Sequence, residues 1–182
     1  VAFQVAHLRY FPLVGMKSSV GVMQTGIVPL LASLPLFVVP RVIAVQWFFS
    51  ALDLLALAWL YRATRRSLNA GAAFAASLLY AASPWIVLYT RTIWYQSLTA
   101  PLATTAFAGG LLLLTRRRQA PLAGEAPPPE GRPCDGVLAL TMVALTLMSM
   151  AHLAAAPWGA LVMVFCLVIG RRQRRWRGLA WG

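Results

Sequence analysis

Val42 to Tyr61 reads VIAVQWFFSALDLLALAWLY, an apolar run of the length a helix needs to cross a bilayer. A hydrocarbon core of about 30 Å takes about 20 residues at a rise of about 1.5 Å each, with every backbone polar group satisfied inside the segment. The run is closed by a basic cluster, RATRR at 62 to 66. The pattern then repeats. Ala70 to Tyr89 is a second span, with Pro84 loosening its far end. The Ala, Gly and Ser residues of its first half let helix backbones approach closely, so it is expected to pack inside a bundle. A third span runs from about Ile93 or Leu98 to Leu114 and stops at RRR, 116 to 118.

Composition agrees with this reading. The charged fraction is 11% and the mean hydropathy +0.71, whereas a soluble domain carries roughly a quarter charged residues. A water-soluble domain is therefore nearly excluded. Sixteen Lys and Arg against four acids give +12, which in a soluble protein would suggest nucleic acid. Here most arginines fall in three clusters, at 62 to 66, 116 to 118 and 171 to 177, each directly after an apolar stretch. That is how a multi-pass protein of the bacterial cytoplasmic (inner) membrane marks its cytoplasmic side, so the partner is the lipid bilayer and not nucleic acid.

Residues 119 to 135, QAPLAGEAPPPEGRPCD, hold five prolines and three of the four acids and read as a solvated cytoplasmic linker. Residues 136 to 170 carry no formal charge. One continuous helix there would run about 50 Å, so the segment should break, at AHLAAAPWG around His152 and Pro157, into a short transmembrane pair. Two crossings between successive arginine clusters put all three clusters on one face. Residues 171 to 182 form a basic cytoplasmic segment. Residues 41 to 118 form the transmembrane core, with an outer loop near 90 to 97.

Residues 1 to 40 are read as external. Gly21 to Pro40 is long enough to span but holds Pro29, Pro35 and Pro40. Pro40 and Arg41 alone would have to reverse the chain, so a helix lying in the outer interface is preferred. The fold class is thus all-α: a polytopic bundle of about five spans plus an outer interfacial helix. The chain opens at Val1 without Met and stops just after a basic cluster, so it is expected to be a fragment.

Few residues have the chemistry for a site. Arg91, Trp94 and Gln96 lie in the outer loop RTIWYQS. Aromatic anchoring with Arg91 on lipid phosphate accounts for them as well as a site for a lipid-linked phosphate gripped by the guanidinium. Lys17 and Ser18, in GMKSSVG, would add a cation and a hydroxyl on the same face, unless this is a plain external loop. His152 is a candidate for the polar head of a substrate, or a structural histidine. Asp53 sits mid-span, where an acid is costly; it is either a hydrogen-bonded structural acid or a functional one, and no partner for it can be named. Cys134 and Cys166 fit no metal spacing, and there is no Walker loop, no GxGxxG and no Ser-His-Asp set.

The order of these features, GMKSSVGVMQTGIVPLLASLPLF followed by RVIAVQWFFSALDLLALAWLYRATRRSLNAGAAFAASLLYAASPWIVLYTRTIWYQS, resembles the membrane GT-C glycosyltransferases. The nearest groups are bacterial relatives of protein O-mannosyltransferases and of the aminoarabinose transferase of lipid A. Arg41, Arg65, Arg66, Pro84, Tyr89 and Arg91 match the family's order, as does HLAAAP at 152 to 157. The resemblance covers roughly residues 10 to 170 and implies a partial GT-C-type fold.

The implied reaction moves a sugar from a polyprenyl-phosphate carrier to an acceptor on the outer face. Lys17 and Arg91 would hold the departing phosphate. The family's catalytic Asp follows its first span and is expected upstream of Val1, so the fragment alone should be inactive. Ser97 stands where many members have an acid or Asn. No cofactor is evident, no metal ligands are assigned, and a divalent metal stays open. The competing class is a transporter or scaffold, with Asp53 and His152 on a polar path.

Overall fold

The computed structural model describes residues 2–7, 14–17, 23–93, 96–116 and 133–151, with 157, 159–161, 163 and 164 beyond them. The expectations for Ser18, Trp94, His152, residues 119–132 and the basic segment after 170 lie outside the described residues. In chain order the elements are α1 (Ala2–Ala6), β1 (Val14–Lys17), β2 (Met23–Thr25), α2 (Ile27–Val38), α3 (Val42–Ser67), α4 (Ala70–Ala81), α5 (Pro84–Thr90), α6 (Gln96–Arg116) and α7 (Pro133–Ala151). Among the described residues the secondary structure is helical apart from one short antiparallel ladder, in which Val14 faces Thr25 and Lys17 faces Met23.

α3 and α6 are long and apolar enough to cross a membrane; the α4–α5 pair, bent by 56°, makes a third span if counted as one. α3 runs 26 residues, past Tyr61 to Ser67, because the basic residues continue the helix instead of ending it. Arg65 and Arg66 fall in its last turn, where cations suit the negative end of the helix dipole. α4 opens on Asn69, whose Oδ1 accepts from the Ala72 N–H at 2.8 Å. The bend follows from Pro84 at the start of α5: it has no N–H to give to Tyr80, and the Tyr80 carbonyl instead accepts from Ser83 N at 3.2 Å.

α3 and α6 run in parallel, with α4 and α7 opposed to them. At one end, called here the Ser67 end, Leu60 and Ala63 of α3 pack on Ala108 and Leu112 of α6, with Val137 of α7 beside them. The Ser67 and Thr115 hydroxyls meet there at 2.8 Å. In the middle, Ala106 packs on Ala144, Leu145 and Met148. At the other end, the Arg91 end, Val28, Ala32 and Leu36 of α2 bury against Val45, Phe49, Leu98 and Ala151. The starts of α3 and α6 and the end of α7 thus share one end, and the arginines that close α3 and α6 share the other.

Two boundaries differ from the sequence reading, a break follows α7 as expected, and α4 packs less deeply than expected. The 21–40 segment divides: Met23–Thr25 is strand, and the helix that follows has 12 residues. At about 18 Å it is too short to span, and it buries one face on the bundle's end. α7 begins at Pro133, three residues inside the expected linker. Gly159 lies against Ser149 and Leu145; ten residues of continuous helix would hold them about 15 Å apart, so α7 has ended before Gly159. α4 is peripheral. It fully buries only Ala73, while Phe74, Leu78 and Leu79 face outward.

Between their ends the helices present apolar residues outward. Trp47, Leu54, Leu55, Phe74, Leu79 and Phe107 are each more than half exposed. Water would penalise such a surface, whereas a hydrocarbon surround does not.

Candidate functional site

Asp53 lies 11 positions into α3, about 16 Å from Val42 along the axis and so near mid-span. It is buried, and its partners come from two other helices. The Tyr80 phenol of α4 donates to Oδ1 at 2.9 Å, and the Thr90 hydroxyl of α5 donates to Oδ2 at 3.0 Å. Thr104 of α6 also interacts with Tyr80. The carboxyl therefore ties α3 to both arms of the broken span. It has no cationic partner among the described residues, and its two oxygens are satisfied by hydroxyls.

Thr90 immediately precedes Arg91, so this buried tie reaches the turn between α5 and α6. On the far side of the loop, Ser97 Oγ donates to the Thr92 carbonyl at 2.7 Å. The turn carrying Arg91 is thus pinned at Thr90 and at Thr92, while Arg91 itself is exposed. Beside it on α5, Trp85 and Tyr89 stack with centroids 5.8 Å apart and an interplanar angle of 16°. This i, i+4 aromatic pair was legible as spacing, and sequence reasoning passed it over in favour of Trp94.

Gln96 opens α6 and is half-buried. Lys17 ends β1; its partner strand β2 is held on α7, where Thr25 Oγ1 donates to the Met150 carbonyl at 2.6 Å. The backbone of Lys17 therefore belongs to the same end as Arg91 and Gln96. Of the expected phosphate-binding group, Arg91 and Gln96 are the side chains in view, and both border one turn. Asp135 lies in the first turn of α7, at the Ser67 end. Among the described residues no group of three His, Cys, Asp or Glu side chains converges to hold a metal ion.

The arrangement has two chemical capacities. An exposed guanidinium on a fixed turn can grip phosphate oxygens by paired hydrogen bonds. The buried acid, already engaged by two hydroxyls, fixes the position of that turn. Comparison with known proteins adds no family: no family model, no curated protein and no solved structure matches this chain.

Proposed function

We propose that the chain serves an integral membrane glycosyltransferase of the bacterial inner membrane, which moves a sugar from a polyprenyl-phosphate carrier to an acceptor on the outer face. In this reading the bundle has about five spans, the arginine clusters face the cytoplasm and the Arg91 end faces outward. The chain's own part is to hold the lipid phosphate as it departs. Arg91 neutralises the developing charge, with Gln96 beside it and Lys17 as a second cation. Asp53 is a positioning residue, acting on Arg91 through Thr90, and the acceptor's carboxylate is supplied by another part of the enzyme.

One observation carries the reading: an exposed arginine on a turn tied by Thr90 to Asp53 and by Thr92 to Ser97, flanked by a stacked aromatic pair. A residue that merely anchors the interface needs no such fixing.

The test is binding of a short-chain polyprenyl phosphate to the chain in phosphatidylcholine nanodiscs. Arg91→Ala should weaken binding about tenfold, the loss expected for one charge-assisted contact of about 1.5 kcal/mol. Arg65→Ala at the opposite end should leave it unchanged. Equal binding by the two variants would overturn the assignment.

A further inference from the structure

A second feature lies midway along the bundle. Between α3, α6 and α7 is a crevice of about 230 Å³ whose walls include Leu52, Leu55 and Trp59, Leu102 and Thr105, and Leu140. The polar atoms on these walls are turned inward. Trp59 Nε1 donates to the Thr105 carbonyl at 3.3 Å, and the Thr105 hydroxyl donates to the Pro101 carbonyl at 2.8 Å. The surface left is hydrocarbon, concave and open at the side of the bundle.

The α3 wall does not end at Trp59. Positions 52, 55, 59, 62 and 66 follow one another at spacings of three and four, which keeps them on one stripe of a helix. Arg62 and Arg66, both exposed, therefore continue the line of Leu52, Leu55 and Trp59 to the Ser67 end. From Leu52 to Arg62 is ten residues, about 15 Å along the axis, which is half of a hydrocarbon core of about 30 Å. The apolar part of the stripe thus has the depth of one leaflet, and its cations stand at headgroup level.

We propose that this crevice holds one acyl chain of an anionic phospholipid, whose headgroup phosphate is bound by Arg62 and Arg66. Charge complementarity selects the occupant: a chain alone would need no arginine, and a water-borne phosphate would need no hydrocarbon slot. Basic pockets between transmembrane helices take anionic headgroups by the same physics. The site is separate from the Arg91 turn, has its arginines at the Ser67 end and does not depend on the transferase reading.

The experiment uses the whole chain in phosphatidylcholine vesicles containing a minor fraction of phosphatidylglycerol, with bromine, which quenches indole fluorescence, placed in the acyl chains of one lipid or the other. The Trp59 signal is the difference between the parent chain and Trp59→Phe. Brominated phosphatidylglycerol should quench it out of proportion to its abundance, with a preference of about fivefold for each arginine that contacts the phosphate. Arg62→Ala combined with Arg66→Ala should abolish the preference, and the corresponding Lys pair should keep most of it. Quenching in proportion to abundance would mean an ordinary annular lipid and would overturn the proposal. So would quenching by neither lipid, which would mean that protein covers the slot, or a preference that survives the Ala pair.

Discussion

The Tyr80 phenol donates to Oδ1 of Asp53 at 2.9 Å, joining α4 to α3 near the middle of the span. Both side chains are polar in an apolar setting, and each is the other's compensation. Because Thr90 takes the second carboxyl oxygen, the same acid reaches past the 56° bend to the residue before Arg91. Across the break at Pro84, the tie adds a polar link to α3 beyond the packing of α5 on α6. The Asp53 tie fixes where the turn sits, and through it where the exposed guanidinium stands.

The two donors are not equivalent. Thr90 has one hydroxyl hydrogen and two acceptors in range, Asp53 Oδ2 at 3.0 Å and the Ile86 carbonyl at 2.6 Å. When Asp53 is lost, its hydrogen can go to Ile86. Tyr80 has no such fallback on its own helix. Tyr80→Phe should therefore cost about 1 kcal/mol of stability, the range for an interhelical hydrogen bond in a membrane, and Thr90→Val clearly less. Denaturant unfolding in mixed micelles would give the order. An equal or reversed cost would show that Thr90 is the firmer anchor.

Asp53 was legible as an expensive residue, and its partners were not. The signal was present: Tyr80 and Thr90 are polar positions within or beside an apolar span, and few other groups were available to satisfy a mid-span acid. What sequence lacks is the rotation of α4 about its axis, which decides whether Tyr80 faces α3 or lipid. Helix ends were misjudged where charge was taken as a stop. Arg62, Arg65 and Arg66 carry α3 onward to Ser67 because cations favour a helix C-terminus. The break at Pro84 was legible because the missing N–H is local chemistry. The β1–β2 ladder was not, since pairing Val14 with Thr25 depends on a partner outside any local window.

α6 and α7 approach closely at Gly109, where an added Cβ would overlap the Thr141 hydroxyl, whereas the same addition at Gly110 meets nothing within 4 Å. Gly109→Ala should cost about 1–3 kcal/mol through overpacking. Gly110→Ala should stabilise by up to about 1 kcal/mol, from helix propensity alone. Adding Thr141→Ala to Gly109→Ala should recover part of the loss, because it removes the atom in the way. Thermal unfolding of the three variants beside the parent would test this; a Gly110→Ala penalty equal to that of Gly109→Ala would refute the close contact.

Accessibility distinguishes the two ends. Ser97 makes a poor probe, being 1% exposed with its hydroxyl on Thr92. Ile93 and Leu68, at 42% and 61% exposed, are better placed. With Cys134 and Cys166 replaced by Ser, Ile93→Cys should react with an impermeant maleimide added outside intact cells, and Leu68→Cys should react only after the membrane is opened. The opposite pattern would invert the orientation and put the arginine clusters outside.

The remaining question is whether Asp53 works through its charge or through its shape. Asparagine in its place can keep both contacts: Oδ1 accepts from Tyr80, and Nδ2 donates to the Thr90 oxygen, while the Thr90 hydrogen turns to Ile86. Leucine of similar size can keep neither and leaves the Tyr80 hydroxyl without its acceptor, at about 1–3 kcal/mol, offset in part by removal of an acid from hydrocarbon. Asp53→Asn should therefore unfold within about 0.5 kcal/mol of the parent and bind polyprenyl phosphate as the parent does. Asp53→Leu should loosen the turn and weaken that binding even if its stability is close to the parent's. If asparagine instead behaved like leucine, the negative charge itself would be the working feature, and a positioning role by hydrogen bonding alone would fail.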